Sequence, residues 1–241
     1  MTFVERLKRK SGDLYGGAPI KLAFLGDSVT QGCFELYPLS SGYAGVIFES
    51  GSAYHEIVKK IFQLLYPQVP FSVINAGISG DTAPQGAERL EQDVLSANPD
   101  MTVVCFGLND SGKGADKIRE YTDALSDIFD RVRENGSGLI FMTPNMIGER
   151  VNERIVSPQI KRIASDICRP ENQKTLDAYI DAARALCREK NVPVCDCHAN
   201  WKLMREAGVD ITSMLSNDIN HPSRELHFMF AYELVKLMLT L

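Results

Sequence analysis

Apolar and polar positions along this chain follow two periods, and the periods take turns. Residues 20–25 form a short apolar run, and 71–75 (Phe-Ser-Val-Ile-Asn), 101–106 (Met-Thr-Val-Val-Cys-Phe), 139–142 and 192–195 repeat the type. Runs this short, bounded by turn residues and rich in β-branched and aromatic side chains, predict strands. The run at 101–106 is apolar throughout, as expected of a strand covered on both faces. Between the runs the period lengthens to that of a helix. At 54–65, Ile57, Ile61, Leu64 and Leu65 share a face, and at 84–95, behind Pro84, so do Ala87, Leu90, Val94 and Leu95. The clearest helix is 115–133, where Ile118, Tyr121, Leu125, Ile128, Phe129 and Val132 keep the helical period until Asn135-Gly136 closes it. Helices are also expected at 3–10, at 175–190 and, through Leu226, Met229, Phe230, Leu234, Leu237 and Met238, at 224–241.

Repeated strand–helix alternation implies parallel strands joined by crossover helices, so the expected fold is α/β with helices on both faces of a parallel sheet. No linker, repeat or low-complexity tract interrupts the chain, which makes one domain over 1–241 the expectation. Two segments break the rhythm. Residues 33–52 are Gly- and Ser-rich and read as irregular, and 145–170 carry Arg150, Arg154, Lys161, Arg162 and Arg169. Both follow strand C-terminal ends, where loops around a ligand belong.

Composition narrows the functional classes. With 241 residues, 44% hydrophobic and 24% charged, the chain can bury a core without covalent staples. A net charge of −5 speaks against a nucleic-acid partner, and the basic cluster Lys8-Arg9-Lys10 reads as a solvated face. No stretch approaches the ~18 apolar residues of a spanning helix, so no membrane span is expected. The first residues are charged and lack an apolar h-region, so no signal peptide is expected either. Cys33, Cys105, Cys168, Cys187, Cys195 and Cys197 are too scattered for a disulfide framework, and reduced thiols in a cytoplasmic setting are the expectation. Cys195-Asp196-Cys197-His198 has the look of metal ligation, but no second ligand pair at zinc spacing accompanies it, so no metal or cofactor is expected.

Candidate chemistry starts where the first strand stops, at Gly26-Asp27-Ser28-Val29. A serine at the abrupt end of a strand is held up at the sheet edge, where an α/β fold places its chemistry. A serine hydroxyl is a poor nucleophile and needs a base within reach. His221 is the candidate base. Asp218, three residues before it, would lie on the same side of a turn, take one imidazole nitrogen and leave the other to Ser28. Acyl transfer also needs donors aimed at a developing oxyanion. The side-chain amide of Asn109, after Phe106-Gly107-Leu108, is one. The backbone N–H groups of Ser28 and of Gly80, in the turn after the second strand, are the others.

In four blocks the chain resembles the SGNH hydrolase superfamily, the GDSL-type lipases and esterases. Gly26-Asp27-Ser28 is similar to the nucleophile block, Ser79-Gly80-Asp81-Thr82 to the glycine block and Gly107-Leu108-Asn109-Asp110 to the asparagine block. Asp218-Ile219-Asn220-His221-Pro222 is similar to the Asp-x-x-His block. Val29 stands where leucine is usual, and Leu108 at the variable second position of the asparagine block. The resemblance implies a flavodoxin-like, three-layer α/β/α sandwich with a five-stranded parallel sheet. It also implies metal-independent hydrolysis of esters or thioesters. Ser28 would be nucleophile, His221 general base, Asp218 its orienting carboxylate, and Ser28, Gly80 and Asn109 the oxyanion hole. The Gly-x-Ser-x-Gly elbow of ordinary α/β-hydrolases is absent around Ser28.

Each block has a bland reading. Ser28 could cap a helix, Asn109-Asp110 form an Asx-turn, Asp218 cap the closing helix, His221 sit on the surface and Gly80 merely turn the chain. Their joint order and their positions at strand ends outweigh these. His55, His198 and His227 are expected to be structural or exposed, Asp81 and Thr82 to hold their loop, and Trp201 and Phe228 to be core. The expected activity is a serine esterase acting through an acyl-enzyme on a small-molecule ester. Short acyl or acetyl groups, on a polar alcohol such as a sugar, fit a 145–170 loop that is rich in charge and carries scattered apolar residues, Met146, Ile147, Val151 and Ile155 among them. Lysophospholipase or acyl-thioesterase activity is the close alternative, and a non-catalytic binding module on the same fold the distant one. Activity should fall below about pH 6 to 7 as the base protonates.

Overall fold

The computed structural model describes all residues, 1–241. In chain order, α1 (Phe3–Gly12) leads to β1 (Ile20–Gly26), which runs into a single helical turn, α2 (Ser28–Gln31), and then a hairpin of β2 (Cys33–Pro38) and β3 (Ala44–Phe48). Next come α3 (Tyr54–Leu65), β4 (Phe71–Gly77), α4 (Ala83–Asp93), β5 (Met101–Cys105), the short α5 (Leu108–Ser111), α6 (Ile118–Glu134) and β6 (Gly138–Met142). The chain closes with α7 (Pro158–Ile167), α8 (Pro170–Glu189), β7 (Val194–Cys195), α9 (Cys197–Glu206) and α10 (Arg224–Met238).

The five strands outside the hairpin form one parallel sheet in the order β4-β1-β5-β6-β7. Period-2 alternation divides the core between its faces. Leu22 and Phe24 of β1 pack with Phe3 and Leu7 of α1, Phe62 of α3 and Phe230 and Leu234 of α10. Ala23 and Leu25 face the other way, toward Leu90 of α4, Leu125 and Phe129 of α6 and Ala183 of α8. The result is the three-layer α/β/α sandwich. The chain steps outward from β1 to β4 and then crosses back to β5. That reversal leaves a crevice at the C-terminal ends of β1 and β5, where an open α/β sheet takes its ligand.

The irregular reading of 33–52 is corrected: most of it is the antiparallel hairpin β2–β3. Pro38 and Gly45 break the alternation that would have announced it. Within 145–170 lies α7, capped by the Ser157 hydroxyl. Met146, Ile147 and Ile155 are buried, and Ile155 joins Ile160, Ala164, Cys168 and Ile219 in a small separate cluster. These residues therefore fix the segment that carries Ile219 instead of standing free in a loop. The helix α9 escaped the pattern because only Cys197, His198 and Trp201 of it are buried. Phe228, expected in the core, is 61% exposed, whereas Trp201 is fully enclosed. No helix is long and apolar enough to cross a membrane.

Candidate active site

Asp27 sets the position of Ser28. Its backbone leaves the helical region (φ −99°, ψ −150°), and its Oδ1 accepts the Val29 N–H at 3.0 Å, so it caps α2. Ser28 is then the first helical residue, and its N–H has no acceptor within the turn. The turn sits directly on the end of β4. A Cβ on Gly77 would fall 2.2 Å from the Gln31 nitrogen, so only glycine permits this approach.

His221 is presented by a tight loop. The side-chain oxygen of Asn217 accepts the N–H groups of Ile219 (3.0 Å), Asn220 (2.9 Å) and His221 (3.0 Å), and a bridge pairs Leu215 with Pro222. His221 Nε2 lies 3.0 Å from Ser28 Oγ, and Nδ1 lies 2.8 Å from the Phe34 carbonyl oxygen. A carbonyl can only accept, so Nδ1 carries the proton and Nε2 faces the serine hydroxyl with its lone pair. Burial holds the His221 pKa below its ordinary 6.5, against the opposing pull of the Phe34 hydrogen bond and the Glu35 charge. The acid limb expected at about pH 6 to 7 is therefore displaced downward.

Asp218 does not take its expected place. Its Oδ1 accepts from Asn152 Nδ2 at 3.0 Å and from Arg154 Nη2 at 2.6 Å, and His221 Nδ1 is spent on Phe34. A spacing of three puts two side chains on one side only along a right-handed turn. Asp218 instead stands at φ +58°, a left-handed conformation that aspartate tolerates better than most residues.

The glycine and asparagine blocks meet in one loop. Gly80 is left-handed (φ +85°), and its N–H meets no acceptor in the chain. The loop around it is pinned from three sides. Gln31 Oε1 accepts the Ser79 N–H at 2.7 Å, and Asn109 Nδ2 donates to the Asp81 carbonyl at 2.9 Å. Arg89 binds the Asp81 carboxylate at 2.6 Å and the carbonyls of Ala76 (2.7 Å) and Gly26 (3.0 Å). The Asn109 amide retains a second hydrogen. Gly80 and Asn109 line a cleft of about 240 Å³ together with Leu108, Ile147, Asn172 and Asn220. Asp81 and Thr82 hold the loop as expected, Thr82 through a capping box with Gln85. Behind it, burial pushes the carboxyls of Asp27 and Asp110 up to about 7 and about 6, with the neighbouring Asp110 and Asp81 charges adding to the rise at Asp27.

Phe34, Gln31 and Arg89 were not expected here. Gln31 and Arg89 had a weak signal in their closeness to the nucleophile block and in the lone basic side chain of α4. Phe34 contributes only its main chain, which no side-chain pattern reports. No cluster of three or more His, Cys, Asp or Glu side chains suited to a metal ion occurs in the chain.

Comparison with known proteins identifies the family. The model of the GDSL-like lipase/acylhydrolase family matches residues 24–227. An acetylxylan esterase of Geobacillus stearothermophilus is 30% identical over 172 residues, covering 67% of this chain and 77% of that protein. An arylesterase of Vibrio mimicus is 26% identical over 136 residues, 55% of this chain and 60% of that one. Among solved structures, an acetyl-xylooligosaccharide esterase of Geobacillus superposes with a TM-score of 0.69 at 24% identity, covering 92% of this chain and 95% of that one. Variants of the Geobacillus esterase described as catalytic mutants change a serine, an aspartate and a histidine, the last two three positions apart. The chain belongs to the GDSL-like lipase/acylhydrolase family and is a carboxylic ester hydrolase of it.

Proposed function

We propose that this enzyme removes short acyl groups, acetyl above all, from a polar alcohol such as a sugar, through an acyl-enzyme on Ser28. The observation that carries the reading is the 3.0 Å contact between Ser28 Oγ and His221 Nε2, with the other imidazole nitrogen committed to an acceptor. As Oγ attacks the ester carbonyl, its proton passes to Nε2. The carbonyl oxygen becomes an oxyanion held by the Ser28 N–H, the Gly80 N–H and the Asn109 amide. His221 then protonates the departing alkoxide, and the acyl group stays on Ser28. A water molecule, deprotonated by the same nitrogen, releases it as the carboxylic acid.

The short-acyl preference draws on the cleft beside Gly80 and Asn109. Its size, about 240 Å³, and its mixed lining suit a small acyl group better than a long chain. The acetyl esterases among the relatives point the same way. Six free, buried cysteines support a reducing, cytoplasmic setting.

A series of p-nitrophenyl esters from acetate to laurate, with acetylated xylo-oligosaccharide beside it, tests the reading. kcat/KM is expected to be highest on acetate and to fall toward acid pH with a midpoint below the ordinary histidine value, because burial lowers the His221 pKa. Ser28→Ala and His221→Ala should each lower kcat by about 10⁴-fold or more. An optimum on long chains or on thioesters would move the assignment to a lysophospholipase or thioesterase, and wild-type rates in either variant would end it.

A further inference from the structure

A second cavity adjoins the catalytic cleft. Thr82, two residues beyond Gly80, and Asp110, one beyond Asn109, help to enclose about 330 Å³. Lys113, in the segment between α5 and α6, lines this cavity and the cleft alike, so the two meet along it. The walls are Tyr121 of α6 and Tyr179 of α8, with ring centroids 5.1 Å apart. The chemistry of Ser28 and His221 makes no use of this space.

Its lining suits hydroxyl groups. The Tyr121 hydroxyl donates to the Phe106 carbonyl at 3.1 Å and the Tyr179 hydroxyl to the Gly114 carbonyl at 2.6 Å, so each phenolic oxygen keeps a lone pair with which to accept. Asp110 Oδ1 accepts the Ala83 N–H at 2.8 Å, whereas its Oδ2 is buried without a partner. A buried acceptor in that state costs free energy, and a hydroxyl, directly or through a water molecule, would supply the missing donor. Lys113 and Lys117 bring ammonium donors, and Lys117 pairs with Glu120 at 3.1 Å. Two cations thus stand against two carboxyls, Asp110 and Glu120. A lining balanced in this way favours an uncharged guest over an anion, and the tyrosine faces can cover the C–H side of a sugar ring.

We propose that this cavity is a second saccharide subsite, taking a neutral sugar unit joined to the acetylated unit held at Ser28. The catalytic cleft, at about 240 Å³, has room for the acetyl group and the unit that carries it. A neighbouring unit has to leave the cleft, and the shared Lys113 marks the way. The inference rests on the proposed function, in that the alcohol part of the substrate is a sugar.

The test uses two substitutions at exposed positions, Lys117→Ala and Glu120→Trp. The first removes a donor, and the second sets a bulky ring at the mouth of the cavity. On acetylated xylotriose, KM is expected to rise about 3- to 10-fold in Lys117→Ala, the effect of one lost hydrogen bond, and further in Glu120→Trp, with kcat unchanged in both. On p-nitrophenyl acetate, which ends within the cleft, both variants should match wild type. An unchanged KM for acetylated xylotriose in both variants overturns the proposal. So does an equal loss on p-nitrophenyl acetate, which would mean that the substitutions disturb the oxyanion loop. Xylotriose without acetyl groups gives a readout free of turnover. At millimolar concentration it should shift the NMR ring signals of Tyr121 and Tyr179 in wild type and leave them in place in Glu120→Trp, and unmoved signals in wild type would refute the subsite. A protein that deacetylates no sugar while xylotriose still moves those signals loses the proposed function and keeps the subsite. One that deacetylates xylotriose equally well in both variants keeps the function and loses the subsite.

Discussion

One residue before the nucleophile, the fold keeps a carboxyl away from water. Asp27 is 1% exposed; its Oδ1 caps α2, and its Oδ2 has no partner. Burial raises its pKa from 3.8 to about 7, so the native state binds this proton more tightly than the unfolded chain does. The stability this confers is complete below the unfolded value of 3.8 and is lost as pH rises to about 7. Asp27→Asn keeps an oxygen for the cap and removes the charge. Relative to wild type, it should therefore be more favourable at pH 8 than at pH 5 by roughly 2–3 kcal/mol in chemical denaturation. An equal effect at both pH values would show that Asp27 does not titrate in this window. The candidate residues that the sequence made legible, Ser28, His221, Gly80 and Asn109, announce themselves by side-chain type or by glycine at a strand end. Phe34 does not, because its contribution is a carbonyl oxygen that every residue possesses. At Asp218 the spacing to His221 is visible in sequence, but the left-handed backbone at that position is not.

Among the elements, the hairpin β2–β3 links the catalytic loop to α10. Burying the Phe34 ring contributes about 1.5–3 kcal/mol, and Arg224 secures the strand beside it. Arg224→Ala should leave the fold intact, since Arg224 is partly exposed at the first turn of α10, but loosen the Phe34 carbonyl. The expected result is a kcat lower by about 10- to 100-fold with KM changed much less, partly restored in Arg224→Lys. A change confined to KM would make Arg224 a substrate contact instead. Helices with a continuous apolar stripe, such as α3 and α6, were legible to within a residue or a turn. The hairpin and α7 were not, because Pro38, Gly45 and the charges of 145–170 interrupt any period, and their order comes from contacts far along the chain.

At the scale of the whole molecule, the sheet order decides where chemistry can occur. With β1 and β5 adjacent and β4 outside them, the nucleophile turn, the Gly80 loop and Asn109 emerge at one edge, and the loop before α10 brings His221 across to meet them. The parallel α/β architecture was legible because alternating strand and helix runs admit few topologies. The central claim is that Ser28, activated by His221, forms the acyl-enzyme. The most direct test is to treat the protein with a fluorophosphonate and locate the label by peptide mass spectrometry. The account predicts one modified residue, Ser28, with labelling abolished in Ser28→Ala and strongly slowed in His221→Ala. Label on another residue, or continued ester hydrolysis with Ser28 unmodified, would contradict it.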